Sequence, residues 1–197
     1  MSCWRNQMSH LSSILSAMFS RRRYLCALCG LLLPVAGYSA TPAAIENTLS
    51  SGLVEVGRGE MDWLWFNVYK AKLMTSTGKY QSGIYPQLLD IEYYRDIEAN
   101  DLLEATADQW RHLGYTKDEI ANWLQLLKGI WPNVVPGDHL SFKLIDAQRS
   151  QFFFNGQPLG IIEEPKLAEA FLAIWLSTNT SRPTLRAQLL GEKSCDC

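Results

Sequence analysis

The chain has 197 residues, of which 47% are hydrophobic, and a formal net charge of −2. This length and apolar content fit one globular domain with a substantial core. The charge is unevenly placed. Residues 1–40 carry four arginines and no acid, and the remainder holds 14 Lys and Arg against 20 Asp and Glu, a net charge of −6. A mildly acidic body without a basic cluster excludes nucleic acids and anionic membrane surfaces as expected partners.

Residues 1–40 have the pattern of a secretory signal peptide. A basic start, an apolar run and a small-residue cleavage site follow one another as Arg21-Arg22-Arg23, Tyr24 to Ala36, and Tyr38-Ser39-Ala40. The apolar run is shorter than the roughly 20 residues that span a bilayer, so no stable membrane anchor is expected. The long polar stretch at the beginning suggests Met18 as the natural start. We predict a periplasmic or secreted protein, exported by the general or the twin-arginine route.

Two of the five cysteines, Cys195 and Cys197, remain after such a cleavage, in a C-terminal tail of residues 192–197. A disulfide between them would close a very small loop and stabilise the fold little. Metal binding, redox use and an inert tail stay open as interpretations, of which the inert tail is the simplest. Residues 41–191 are predicted to form a single domain.

The stretch from Gly57 to Ala71 is rich in aromatic and β-branched residues, which predicts one long strand. Strand alternation would place Leu64, Phe66 and Val68 on one face, with Arg58 at the start of that face. Both faces are largely apolar, as is typical of a strand inside a covered sheet. A cation at the mouth of an apolar strand face is a candidate anchor for an anionic ligand.

The other elements occur in separate groups of strands and helices. A capping box at Thr116 starts one helix, Pro132 stops it, and Asn155-Gly156 is a strong hairpin signal. This order predicts an α+β fold, in which helices cover one face of an antiparallel sheet. The predicted strands are 53–75, 87–94, 140–144, 151–154 and 159–162, and the predicted helices are 100–112, 116–131, 165–176 and 181–190.

Motifs for nucleophiles, phosphate loops and metal sites are missing from the sequence after residue 40. His112 and His139 are isolated, and surface or helix-end positions suit them better than metal ligation. We therefore expect no metal and no cofactor.

Several segments follow one another in an order that is typical of one superfamily. In the first two thirds of the chain they are Gly57-Arg58-Gly59, Val68-Tyr69, Tyr94-Arg95-Asp96-Ile97 and Asn133-Val134-Val135-Pro136-Gly137. Near the end they are the run from Phe171 to Ser177, the run from Thr180 to Arg186, and Leu189-Leu190-Gly191. The chain resembles the chalcone isomerase superfamily over about 53–191, and most of all its exported bacterial chalcone isomerase-like proteins. The resemblance implies an open-faced β-sandwich, a large antiparallel sheet with a helical layer and a ligand cleft between them.

The plant enzymes of this superfamily cyclise chalcones with an arginine that polarises the substrate and hydroxyl groups that position it. The resemblance places that arginine at Arg58. It places the polar partners at Leu64, Ile174, Glu98 and Ala105, none of which supplies the same group. Because electrostatic catalysis needs several donors aimed at the developing charge, we predict that chalcone isomerase activity is absent.

The same fold also binds fatty acids in plants, which requires only an apolar site and a cation. We therefore predict a non-catalytic binder of a small hydrophobic or amphipathic anion such as a fatty acid. Arg58 would hold the carboxylate, and Leu64, Phe66, Val68 and Ile174 would line the cleft.

Three alternatives stay open from sequence. An isomerase or lyase could use Arg58 with Tyr93, Tyr94 or Tyr115. The cleft could instead be filled by its own side chains in a structural envelope protein. Arg58 itself could simply form an ion pair, with Glu60, Asp62 or an acid on a helix. The sequence does not identify a protein partner.

Overall fold

The structure, a computed structural model, describes residues 49–63 and 66–197, with Trp63 described as backbone only. The predicted signal peptide, the proposed start at Met18 and the candidate site residue Leu64 lie outside these residues. In the described part, one antiparallel sheet contains the strands β1 (Val54–Trp63), β2 (Phe66–Thr75), β3 (Gln87–Tyr93), β4 (His139–Leu144), β5 (Ser150–Phe154) and β6 (Gln157–Ile162). The helices described are α1 (Ala99–His112), α2 (Lys117–Leu127), α3 (Pro165–Leu176) and α4 (Pro183–Leu189). None of these helices is long and apolar enough to span a membrane.

Each strand pairs with the next one along the chain, so the sheet order is β1 to β6. Alternate residues of the strands face the helices and form the core with them. Examples from the central strands are Ala71, Leu73, Leu89, Ile91, Leu140, Phe142 and Phe152. We call the opposite side the outer face; Lys72, Asp90 and Ser141 lie side by side on it. The α+β prediction, with a large antiparallel sheet and a helical layer, is confirmed.

The prediction of one strand from Gly57 to Ala71 is wrong. This stretch forms a hairpin, in which Trp63 pairs with Phe66 and Arg58 pairs with Lys72. The chain therefore reverses direction between Trp63 and Phe66. Large apolar residues occupy that position instead of the Asn, Asp or Gly that signals a short hairpin turn.

Two irregularities break the alternation that the sequence suggested for β1 and β2. The register shifts between Glu55 and Gly57, and again between Met61 and Asp62. A bulge leaves one residue unpaired, and beyond it the side chains of the strand change faces. Because of the first bulge, Glu55 and Arg58 both lie on the outer face, although they are three residues apart.

The glycines on either side of Arg58 allow α4 to lie directly against β1. A Cβ atom added to Gly57 would lie 2.2 Å from the Gln188 carbonyl oxygen. At Gly59 it would lie 2.6 Å from Leu185 Cδ1. Real Cβ contacts are not this short, so the Gly-Arg-Gly sequence is explained by helix docking.

The ends of the helices show which local signals the sequence carried. Thr116 and Glu119 form the predicted capping box of α2. The helix α1 begins at Ala99, one residue before the start predicted from sequence. Its first N–H group, at Ala99, is satisfied instead by the side chain of Asn133 at 2.9 Å. That contact joins residues far apart in sequence, so local reasoning could not find it.

The hairpin predicted at Asn155-Gly156 is confirmed between β5 and β6. Both residues have positive φ, 48° for Asn155 and 78° for Gly156. Positive φ at both turn positions matches the right-handed twist of the strands, which is why this dipeptide is a reliable signal.

Candidate functional site

Arg58, the predicted anchor, lies on the outer face and is ion-paired with Glu55. Its Nε donates to Glu55 Oε1 at 2.6 Å, and a terminal nitrogen donates to the other carboxylate oxygen. This hydrogen bond and the charge of Glu55 raise the pKa of Arg58. Arg58 therefore forms an ion pair, but its partner is Glu55, which the bulge in β1 brings to the same face, and none of the acids named from sequence. The arginine side chain is 45% exposed, so the pair contributes at most about 1 kcal/mol to stability.

Two other predicted residues of the strand, Phe66 and Val68, do not adjoin Arg58. Phe66 pairs with Trp63, five residues beyond Arg58 on β1, which is about 16 Å along a strand. More than half of Phe66 is exposed, and its ring centroid lies 4.4 Å from the Arg95 guanidinium carbon. Val68 follows Phe66 on β2 and is half-buried. The structure thus separates the predicted carboxylate anchor from these residues of the predicted tail site.

The predicted cleft residue Ile174 lies on α3 and is 8% exposed. Near it, the space between the sheet and α3 is occupied by a cluster of aromatic rings centred on Phe171. The ring of Phe171 lies 4.8–5.8 Å, centroid to centroid, from those of Trp131, Phe142, Phe152 and Trp175. Such contacts stabilise the core by about 0.5–1.5 kcal/mol per pair beyond burial of area. The protein's own side chains fill this part of the sheet–helix interface.

The tyrosines considered for catalysis are engaged with groups other than Arg58. The Tyr94 hydroxyl donates to Glu60 Oε1 at 3.1 Å, and the ring of Tyr115 packs edge-on against Trp123. Tyr93 is buried with its ring 6.0 Å from that of Tyr69, and burial raises its pKa.

The positions at which the resemblance placed two polar catalytic groups are at the surface. Glu98 is the N-cap residue of α1, Ala105 lies within the same helix, and both are exposed. Neither the carboxylate of Glu98 nor the methyl group of Ala105 is a hydrogen-bond donor, so these two positions supply none to Arg58.

A cavity of about 330 Å³ lies between the bulge of β1, the loop that follows β2 and the C-terminal end of α4. It combines positive charge and a phenol with apolar side chains. Its lining residues are Val56, Gly78, Lys79, Tyr80, Arg186, Leu190 and Glu192. We call this the α4 cavity. In the sequence, Arg186 stood out only as part of a segment typical of the superfamily, and Lys79 and Tyr80 were given no functional role, so the site was missed.

The two cations of the α4 cavity differ in how many polar groups of the protein they contact. Arg186 Nε donates to the Leu176 carbonyl at 2.9 Å, and its Nη1 lies 4.0 Å from Glu192 Oε2. Among the residues described, no carboxylate lies within ion-pair distance of Lys79. Burial raises the pKa of Tyr80, so this phenol stays protonated and can donate at neutral pH. The cavity thus contains two cations, Lys79 and Arg186, the phenol of Tyr80 and a single carboxylate, that of Glu192. This excess of positive charge and hydrogen-bond donors suits a small anion.

A cluster of polar side chains lies on the outer face, around the carboxylate of Asp90. Ser141 Oγ donates to Asp90 Oδ1 at 2.7 Å, and His139 Nδ1 lies 3.1 Å from Oδ2. Burial alone would raise the pKa of Asp90, but the hydrogen bonds and charges of His139, Ser141 and Lys72 outweigh it and lower the pKa. The serine hydroxyl meets the carboxylate and not the imidazole, so this geometry does not activate a nucleophile.

The described residues contain no cluster of His, Cys, Asp and Glu that could hold a metal ion. His112, the last residue of α1, instead contacts the Asn179 carbonyl through Nε2 at 3.0 Å.

Comparison of the amino-acid sequence with models of protein families gives one match. The family model described as "Chalcone isomerase-like" matches residues 53–191. The chain belongs to the chalcone isomerase-like family. An uncharacterized protein of Haemophilus influenzae is 28% identical over 137 residues, which are 70% of this chain and 67% of that protein.

The fold of this chalcone isomerase-like protein also occurs in a solved plant structure. The crystal structure of the Arabidopsis thaliana fatty-acid binding protein AtFAP1 matches with a TM-score of 0.55 over 72% of this chain and 88% of that one. The two sequences are 11% identical over the match. At this identity the likeness shows a shared fold, and the site must be argued from the residues of this chain.

Proposed function

We propose that the protein is a non-catalytic binder of a small amphipathic anion, a carboxylate with a short or medium apolar tail, such as a fatty acid. The α4 cavity is the observation that carries this proposal. Lys79, Tyr80 and Arg186 supply donors for a carboxylate, and Val56 and Leu190 supply apolar contacts. Its place between β1 and α4 supports the proposal, because the resemblance implies a ligand cleft between sheet and helices.

The apolar tail of such a ligand sets the upper limit of its binding free energy, and the carboxylate adds to it. Complete burial of the six methylenes of octanoate would be worth about 5 kcal/mol before the costs of association, and the α4 cavity, which opens to solvent, yields only part of this. A charge-assisted hydrogen bond adds about 1.5–3 kcal/mol. A cavity of about 330 Å³ lies at the lower end of the ~300–1,000 Å³ that ligand pockets occupy. The volume therefore favours short and medium chains over long ones.

Titration calorimetry with octanoate, and with 1-octanol as the uncharged ligand of the same length, tests this proposal. We expect octanoate to bind at least about tenfold more tightly, because only the carboxylate can use the cations. Replacing Lys79→Gln should weaken octanoate binding about tenfold and leave octanol binding unchanged. The matched control is Lys128→Gln, which removes an exposed lysine at the end of α2, outside the cavity lining.

A third variant, Arg58→Ala, tests the anchor assigned from sequence. Loss of octanoate binding in this variant, with Lys79→Gln unaffected, would move the anchor to the outer face and refute the α4 cavity as the site. Absence of binding to every carboxylate tried, from butyrate to palmitate, would refute the binder itself.

A structural role in the cell envelope is the second candidate. The aromatic cluster around Phe171 favours it, because side chains occupy part of the interface in which the family places its ligand cleft. Under this alternative the protein has no affinity for either octanoate or octanol, and the calorimetric experiment separates the two functions.

We further propose that the protein acts after export, in the periplasm or outside the cell. The charge and apolar pattern of residues 1–40 supports this, although these residues lie outside the described structure. Intact-mass measurement on protein recovered from a bacterial periplasm should give a chain that begins at Thr41. A mass that includes residues 1–40 would contradict cleavage at this position.

A further inference from the structure

Cys195 and Cys197 are joined by a disulfide in the segment that follows α4. The last backbone bond that ties this segment to the helix runs from the Lys193 N–H to the Ala187 carbonyl, at 3.2 Å. Residues 194–197 have no regular secondary structure. Cys197 is exposed and Cys195 is half-buried, so the disulfide lies where a second molecule can approach it.

This disulfide does not hold the fold together. It links two residues with one residue between them, and their Cα atoms are 5.2 Å apart. The stabilisation from a crosslink grows with the length of the loop it closes, and this loop is minimal. Both cysteines also lie beyond residue 191, where the match to the family ends. The domain is therefore complete without the bond.

We propose that Cys195 and Cys197 form a redox site that exchanges its disulfide with the thiols of a protein dithiol. Disulfides that are exposed and structurally unimportant are the labile ones, and their usual chemistry is thiol–disulfide exchange. The site is separate from the α4 cavity in function, and it does not depend on ligand binding there. It would act on reduced protein substrates in an oxidising compartment.

The exchange proceeds in two steps that conserve atoms and electrons. A substrate thiolate attacks Sγ of Cys197, forms a mixed disulfide and releases the Cys195 thiolate, which takes up a proton. The second substrate thiolate then attacks the substrate sulfur of the mixed disulfide, so the substrate becomes a disulfide and the Cys197 thiolate is released and protonated. The substrate loses two electrons and two protons, which the Cys195–Cys197 pair gains. A small disulfide such as oxidised glutathione restores the starting state.

The order of attack follows from exposure. An incoming thiolate must approach along the axis of the sulfur–sulfur bond, so the more accessible sulfur is attacked first. Cys197 is the more exposed of the two residues. The mixed disulfide should therefore form on Cys197, with Cys195 as the leaving thiol.

Oxidative refolding of reduced ribonuclease A tests the site directly. The chain, exported to a bacterial periplasm and purified, is added to reduced ribonuclease in a glutathione buffer, and recovery of ribonuclease activity is followed. The control is the variant Cys195→Ser/Cys197→Ser. Both proteins carry the same first 40 residues before export, so any thiol that persists there contributes equally. We expect the unmodified chain to speed recovery by about fivefold or more over this control.

Two further measurements distinguish a redox role of the disulfide from a structural one. Quenching with N-ethylmaleimide after exposure to reduced glutathione, followed by mass spectrometry, should locate the mixed disulfide on Cys197. Urea unfolding should give the same midpoint for both proteins. Equal rates of ribonuclease recovery would overturn the proposal. So would a lower unfolding midpoint in the serine variant, because the bond would then be structural.

Discussion

Replacing Gly57 by alanine would place a methyl carbon against the backbone of α4. The added Cβ would lie 2.2 Å from the Gln188 carbonyl oxygen and 2.9 Å from both the Gly191 nitrogen and the Leu189 carbonyl oxygen. All three neighbours are backbone atoms, so no rotamer change can relieve the contact. The helix must move away from β1, which would loosen the contacts of α4 with the core and the lining of the α4 cavity.

The expected loss in the free energy of unfolding can be compared with that of alanine substitutions at two other glycines of the same sheet. Overpacking by one methyl group costs about 1–3 kcal/mol, and we place Gly57→Ala at or above the upper end because only backbone can give way. At Gly59 the nearest atoms belong to the side chains of Leu185 and Gln188, which can shift, so Gly59→Ala should cost about 1–2 kcal/mol. Gly160 in β6 has no atom within 4 Å of the added carbon. Gly160→Ala should therefore change stability by less than about 0.5 kcal/mol.

Urea unfolding followed by tryptophan fluorescence gives the three free energies of unfolding. The expected order of destabilisation is Gly57→Ala, then Gly59→Ala, then Gly160→Ala. In a thermal scan, a loss of 3 kcal/mol corresponds to about 6–12 °C for a domain of this size. Equal stability of Gly57→Ala and Gly160→Ala would refute the argument that α4 docks on a glycine surface, and the Gly-Arg-Gly sequence would then need another explanation.

Four other substitutions test three separate parts of the structure. Arg58→Ala and Glu55→Ala should each lower the free energy of unfolding by less than about 1 kcal/mol in urea titrations, because their ion pair is partly exposed. Asp90 has a lowered pKa in the folded protein, so its ionised form contributes stability above the unfolded-state pKa near 3.9 that is lost as the pH falls further. The stability difference between wild type and Asp90→Asn, measured from pH 6 to pH 3, should therefore shrink below about pH 4. Tyr69→Phe removes the oxygen to which Trp175 Nε1 donates at 2.9 Å and should cost about 1–3 kcal/mol in the same urea assay, because a mostly buried donor is left unpaired.

The elements that sequence reasoning predicted well are those specified by a few adjacent residues. The capping box at Thr116 and the turn at Asn155-Gly156 each satisfy a backbone requirement with residues two or three positions apart. The α+β class followed from the grouping of such elements. The side-chain acceptor at the start of α1 could not be found in this way, since it comes from Asn133, far along the chain.

The stretch around Trp63 shows where residue preference misleads. Aromatic and β-branched residues favour strands whether or not the chain turns among them, because the preference reflects packing on a pleated surface. Nothing in the composition marks the reversal between Trp63 and Phe66. The partner of Arg58 was missed through the same limit of local reasoning. A bulge moves Glu55 to the face of the arginine, and bulges depend on the pairing strand as much as on the bulged one.

The sequence predicted a cation beside apolar side chains, at Arg58, and that site stays a prediction. The α4 cavity, which we propose as the binding site, instead combines Lys79 and Arg186 with apolar side chains. Those two residues are more than 100 positions apart in the sequence, and the packing of α4 on Gly57 and Gly59 brings them together. No pattern within a single segment of the chain records such a contact.

The distribution of side-chain volume across the sheet–helix interface supports the proposed binding site at its end. Around Phe171 the rings are in mutual contact, so a ligand there would have to displace aromatic groups and forfeit about 0.5–1.5 kcal/mol for each lost ring pair. At β1 the volume left by the two glycines is taken up by α4. The cavity lies beside them, where the bulge between Glu55 and Gly57 and the end of α4 both contribute to its lining. Moving α4 would change this lining, so Gly57→Ala should lower octanoate affinity together with stability, whereas Lys79→Gln should lower affinity alone.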